Sequence, residues 1–151
     1  MDYIKQLSNN HILWVSILSW FVAQSLKIFV TLFYEHKLDF SKFFASGGMP
    51  SSHSSFVVTL TISIGQLYGY NHVLFAISSV FSFIVMYDAA NVRLEAGKQA
   101  AMINQIIEVL EDPNLNPEER LKEILGHTPL QVIAGGILGI IIALMFFGRV
   151  S

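Results

Sequence analysis

Four long apolar blocks constrain this chain more than any other feature. They cover residues 12–33, 54–70, 73–90 and 130–147. A helix needs about 20 apolar residues to cross a bilayer core, within a range of roughly 17 to 25. The first and third blocks meet that length. The second and fourth sit at its short end and are expected to extend into their loops. In lipid the backbone must satisfy its own hydrogen bonds, so such blocks fold as helices. The expected fold is therefore all-α: an integral membrane helical bundle of about four transmembrane spans, one domain over residues 1–151. The first block is too long for a cleaved signal peptide, and no small-residue cleavage site precedes the next charged loop.

Composition agrees with this. The chain is 53% hydrophobic and only 13% charged, against about 25% charged in soluble domains. A net charge of -2 argues against general nucleic-acid binding. With no cysteine, disulfides, thiolate catalysis and cysteine-ligated metals are excluded.

Local signals punctuate the blocks. Tyr68-Gly69-Tyr70-Asn71-His72 reads as a tight turn, which makes the second and third spans a hairpin. Gly135-x-x-x-Gly139 in the fourth span lets another helix approach closely. The polar segment 92–126 separates spans three and four. Its 94–111 stretch places Ala101, Ile103, Ile106, Ile107 and Leu110 at helical spacing, an amphipathic helix on the membrane surface or on the bundle. Asp112-Pro113-Asn114 ends it. Asn116-Pro117-Glu118-Glu119 opens a second short helix, which Gly126 closes.

Threading the spans through a bilayer gathers the polar residues. The loop after span one carries Ser46-Gly47-Gly48-Met49-Pro50-Ser51-Ser52-His53-Ser54-Ser55. Span three returns to that face with Asp88 and Arg93, span four leaves it at His127, and Lys27 lies near it in span one. Glycines that turn tightly, amides at a helix start, hydroxyls and a titratable histidine are the elements of a phosphate site. Each residue also has a plainer reading. Lys27, with Gln24 one turn before it, can snorkel to the interface. Asp88 and Arg93 can form an interfacial ion pair, and His127 can cap span four. His11, His36 and His72 read as interfacial, and Asp112, Glu118 and Glu119 as solvated helix ends. No histidine or carboxylate pair has metal-ligand spacing.

Gly47-Gly48-Met49-Pro50-Ser51-Ser52-His53-Ser54 and the later Gly126-His127-Thr128-Pro129-Leu130-Gln131 resemble the divergent branch of the type 2 phosphatidic acid phosphatase superfamily. That superfamily is related to acid phosphatases and vanadium-dependent haloperoxidases. The resemblance implies a helical bundle, no cofactor or metal, and a phosphohistidine intermediate. It makes His127 the nucleophile and His53 the general acid. Ser51, the Ser52 amide, Gly47, Gly48, Lys27 and Arg93 become the phosphate cradle. Arg120 is the alternative to Arg93. Gln131 falls where the superfamily has an acidic residue, with Asp88 a possible substitute if it reaches His127. Ser52 replaces a glycine, and the Arg-Pro that accompanies the first-motif lysine is missing.

The implied function is hydrolysis of a lipid phosphate or pyrophosphate. The implied substrate is a phospholipid or isoprenoid phosphate; the other partners are membrane lipids, with room for a homo-oligomer and none for nucleic acid. Two further readings stay open: a non-catalytic binder or carrier of phospholipid headgroups, and a structural subunit docking a partner through the polar segment. Lys37, Lys42, Arg93, Lys98, Arg120 and Lys122 flank the site face, against Lys5 and Arg149 opposite. The positive-inside rule makes the site face cytoplasmic, with the cell membrane as the expected location.

Overall fold

The computed structural model describes residues 2–35, 47–109, 121 and 126–148. Among these the order is α1 (Asp2–Ser8), α2 (His11–Glu35), α3 (Ser52–Tyr68), α4 (Val73–Tyr87), a π-helical segment (Asp88–Val92), α5 (Arg93–Val109) and α6 (Pro129–Phe147). The expected end of the amphipathic helix at Leu110 and Glu111, its stop at Asp112-Pro113-Asn114, the short helix after Asn116 and the site alternative Arg120 fall outside the described residues.

Among the described residues three helical stretches are long and apolar enough to cross a membrane: His11–Phe33, Val73–Ile107 and Pro129–Phe147. The second apolar block differs from these. Its helix, α3, has 17 residues, about 25 Å of rise, and it packs against α2, α4 and α6 at once. Ser54, Ser55, Thr59, Thr61 and Ser63 are all buried on it. Its low hydropathy follows from its position, because it faces helices more than lipid.

Hydrophobic burial does not drive helices together in lipid, so small residues and interhelical hydrogen bonds must hold the bundle. Thr59 Oγ1 donates to Ser19 Oγ of α2 (2.7 Å) and lies 3.1 Å from the Gly139 carbonyl of α6. Ser19 and Ser55 share a further hydroxyl bond. On the other side of α3, Thr61 bonds Ser82 (2.7 Å), and Ser82 donates to the Val57 carbonyl (2.9 Å). The glycines of α6 face the same helix. A Cβ on Gly135 would sit 2.2 Å from the Ser51 carbonyl oxygen, and one on Gly139 would sit 2.6 Å from that of Ser55. Close packing is thus what the Gly-x-x-x-Gly pair does. At the far end of α2 and α6, Val15, Ile142 and Phe147 form a small apolar cluster.

The hairpin forms as expected. Gly69, with φ of 92°, ends α3, and His72 Nδ1 accepts the Leu74 N–H (3.1 Å) as the N-cap of α4. Two features depart from expectation. A short N-terminal helix, α1, precedes the first span, and Trp14 Nε1 donates to its Leu7 carbonyl (3.1 Å). The expected separate surface helix is instead continuous with α4, because the π segment carries the helix onward without a turn. The 35 residues of Val73–Ile107 measure about 52 Å, well beyond a hydrocarbon core of about 30 Å. Asn104 of α5 brackets the backbone of Leu121, donating to its carbonyl (2.8 Å) and accepting its N–H (3.0 Å).

Replacing Gly135 by alanine should cost about 1–3 kcal/mol, the usual cost of overpacking. Gly136→Ala is the matched control, because its added methyl meets nothing nearer than 3.6 Å. Thermal unfolding in detergent reads both. A Gly135→Ala protein that melts with wild type would overturn the close approach of α3 and α6.

Candidate functional site

The loop entering α3 turns through Gly47 (φ 107°) and Gly48 (φ 85°), conformations that side chains resist. Gly48 lies against the stem of Lys27: a Cβ there would be 3.7 Å from Lys27 Cδ. Lys27 is buried, with 3% of its surface exposed, so it does not snorkel outward.

Ser51 caps α3 and is tied into its packing. Its hydroxyl is fully buried and serves as the N-cap of α3, taking contacts from Ser54 N (3.4 Å) and Ser54 Oγ (3.0 Å). Its N–H donates to the Gln131 backbone carbonyl (3.0 Å). The N–H is thereby taken by α6, while the hydroxyl serves the cap as an acceptor. Ser52 differs, because its buried Oγ has no hydrogen-bond partner among the described residues. The first intrahelical bond of α3 runs from Ser55 N–H to the Ser51 carbonyl (3.0 Å). The amides of Ser52 and His53 lie ahead of it, at the positive end of the helix dipole.

His127 is held from three directions. Its backbone N–H donates to the Ala89 carbonyl within the π segment (2.9 Å). Gly126 before it has φ of 116°, and a Cβ there would be 2.6 Å from Leu94 N, so this turn presses directly on the start of α5. The ring Nδ1 lies 3.3 Å from Gln131 Oε1. The same Oε1 accepts the Thr128 N–H (3.1 Å), closing a capping box at the start of α6. An amide N–H identifies its partner as the carbonyl oxygen, which only accepts. A proton on Nδ1 of a neutral His127 satisfies this bond and leaves Nε2 its lone pair. Burial, and after it the Lys27 charge, hold the His127 imidazole below its ordinary 6.5; the Gln131 bond opposes them, His53 adds to the lowering, and the Gly48 backbone opposes it.

His53 is exposed, on the first turn of α3. Arg93, Lys27 and Asp88 all lie close enough to act on its charge. Asp88 and Arg93 form the expected ion pair, Nε to Oδ2 at 2.6 Å, with both side chains more than a third exposed. In an α-helix a five-residue spacing puts two side chains about 140° apart. The wider π turn brings them onto one side. The Nη groups of Arg93 take no part in that bond. Among the described residues the His127 ring is bonded by Gln131 and the Gly48 backbone, and Asp88 is not among the groups that act on it, so Asp88 does not stand in for a carboxylate there.

Lys27, Gly48, His53, Asp88, Arg93, His127 and Gln131 thus gather at one end of the bundle. The π segment and its Ala89 carbonyl are functional geometry that sequence reading misses. No composition cue marks a π turn, and the Asp88–Arg93 spacing becomes a signal only once that turn is known. Among the described residues no three His, Asp or Glu side chains converge as a metal site would require.

The profile of the Divergent PAP2 family matches residues 8–142. The chain belongs to that family. A Bacillus subtilis (strain 168) relative, named "Uncharacterized membrane protein YuiD", is 36% identical over 151 aligned residues, which cover 93% of this chain and 96% of the relative. No solved structure matches. The relative's name and the apolar helices agree that this is a membrane protein, and the resemblance read from the two motifs is one of family.

Gln131→Ala should release the His127 ring. Histidine ¹⁵N shifts are expected to move from a pure Nδ1–H pattern towards a mixture of tautomers. Loss of the capping box should cost about 1 kcal/mol. Unchanged shifts would sink the tautomer assignment.

Proposed function

We propose that this protein is a metal-independent phosphatase acting on a lipid phosphate or pyrophosphate at the membrane surface. The observation that carries the reading is the fixed His127 ring beside Lys27 and His53. In the proposed reaction His127 Nε2 attacks phosphorus and the bond to the leaving oxygen breaks. His53 gives that oxygen its proton. Water then attacks the phosphohistidine, returns a proton to His53 and releases phosphate, which restores His127. Lys27, the Nη groups of Arg93, the Ser52 hydroxyl and the first amides of α3 hold the phosphoryl oxygens, where charge builds in the transition state. Gly47 and Gly48 let the loop come close.

The second reading, a headgroup binder or carrier without turnover, is favoured by one residue. Gln131 orients His127 but brings no negative charge to an imidazolium. In serine proteases the corresponding loss, a carboxylate replaced by an amide, costs about 10⁴ in rate.

Purified protein in detergent with chelator, given a panel of lipid phosphates and pyrophosphates, should release phosphate, and His127→Ala should abolish release. A neutral nucleophile is lost on protonation. Because the His127 imidazole is held below 6.5, the acid limb of kcat/KM should fall below that pH. Lipid binding without release from wild type would replace the phosphatase by the carrier.

We further propose that the site face is cytoplasmic and the location the cell membrane, following the excess of Lys and Arg on that face. A cysteine introduced at the exposed Gln99 of α5 should resist an impermeant thiol reagent in intact cells and react after lysis. Labelling of intact cells would reverse the orientation.

A further inference from the structure

A groove of about 410 Å³ runs between α2, α3 and α4. Ile17 and Trp20 line it from α2, Phe56 and Val57 from α3, and Phe81 and Val85 from α4. His53 is the only titratable lining residue, and helix register puts it at the end nearest the polar cluster. The volume lies in the usual range for ligand sites, roughly 300 to 1,000 Å³, and so does the pattern of apolar walls with few polar groups. Ile17 and Phe81 are exposed, so the groove opens sideways onto the outer surface of the bundle, which in a bilayer faces lipid.

We infer that this groove receives a hydrocarbon chain of the phosphate-bearing amphiphile, entering sideways from the bilayer while the phosphate rests by His53, Lys27 and Arg93. Two observations commit it to that occupant. The groove is continuous with the phosphate site through His53, which belongs to both. Its charge is also graded: hydrocarbon walls run up to a cluster that contains Lys27 and Arg93, which matches an amphiphile with an anionic head. A second groove at the other end of the bundle, about 350 Å³ with His11, Trp14, Leu18 and Phe146 in its wall, likewise has one histidine and no lysine or arginine in its lining, but it lies at the end of α2 away from Lys27. It serves as the internal comparison. The inference rests on the phosphate-site reading but not on turnover.

The chain has two tryptophans, and each lines one groove. Trp14→Phe leaves Trp20 as the reporter of the proposed tail site, and Trp20→Phe leaves Trp14 as the reporter of the comparison groove. Phosphatidic acid with dibrominated chains should quench Trp20 at a several-fold lower mole fraction than phosphatidylcholine with the same chains. Unbrominated phosphatidic acid should reverse the effect, and Val85→Phe, which narrows the groove, should weaken it. Trp14 should show no such preference. Equal quenching of Trp20 by the two lipids, or an equal preference at Trp14, would reduce the groove to ordinary lipid contact. Preference at Trp20 without phosphate release would keep the groove and remove the phosphatase reading. Release without preference would do the reverse.

Discussion

The site depends on how closely α3 and α6 approach each other. Side chains normally hold helices about 8–10 Å apart. Here the missing Cβ atoms of Gly135 and Gly139 let α6 reach the carbonyls of Ser51 and Ser55. That contact sets a register. Gly139 meets Ser55, Gly135 meets Ser51, and one turn back the Gln131 carbonyl takes the Ser51 N–H. One turn further back is His127. His53, two residues into α3, is therefore brought to its side by packing alone. Two histidines far apart in sequence share a site because two small-residue stripes share a seam.

Packing against α2, α4 and α6 at once explains the character of α3. A hydroxyl in hydrocarbon without a partner is costly, so it must face another helix. Ser55, Thr59 and Thr61 do so, through Ser19, Gly139 and Ser82. Each interhelical bond in a membrane is worth only about 0.6 kcal/mol on average. Their value lies more in specifying one rotation of α3, the rotation that aims its first turn at Lys27 and α6.

Much of this was legible in the sequence because bilayer length and motif chemistry act locally. The apolar blocks at 12–33 and 130–147 became α2 and α6 almost residue for residue, and threading alone put Lys27, His53, Asp88, Arg93 and His127 on one face. What stayed hidden depended on contacts between segments. Ser51 reads as a phosphate donor in its motif, and that it also caps α3 and gives its N–H to α6 shows only in the fold. Span three looks as though it stops at Ala90, because a charged residue usually ends a span; the π turn instead carries Asp88 and Arg93 through a continuous helix. Lys27 near a span end suggests snorkelling, but it is buried, with Gly48 against its stem.

Among the described residues the site holds one carboxylate, Asp88, and its electrostatics follow from where that group goes. Asp88 is held by Arg93 and lies near His53, while His127 receives the uncharged Gln131. His127 keeps its orientation but, among the described residues, has no carboxylate bonded to it, and Lys27 nearby disfavours a second cation. A phosphate dianion reverses that balance: it would neutralise Lys27 and Arg93 and supply the negative charge that an imidazolium at His127 needs. In the proposed reaction the substrate is therefore its own counter-ion. In the proposed reaction anion binding comes before any chemistry, since it offsets the cost of holding buried cations together. An anion anchored by a hydrocarbon chain is the form of that ligand a bilayer can deliver without either part leaving its preferred solvent.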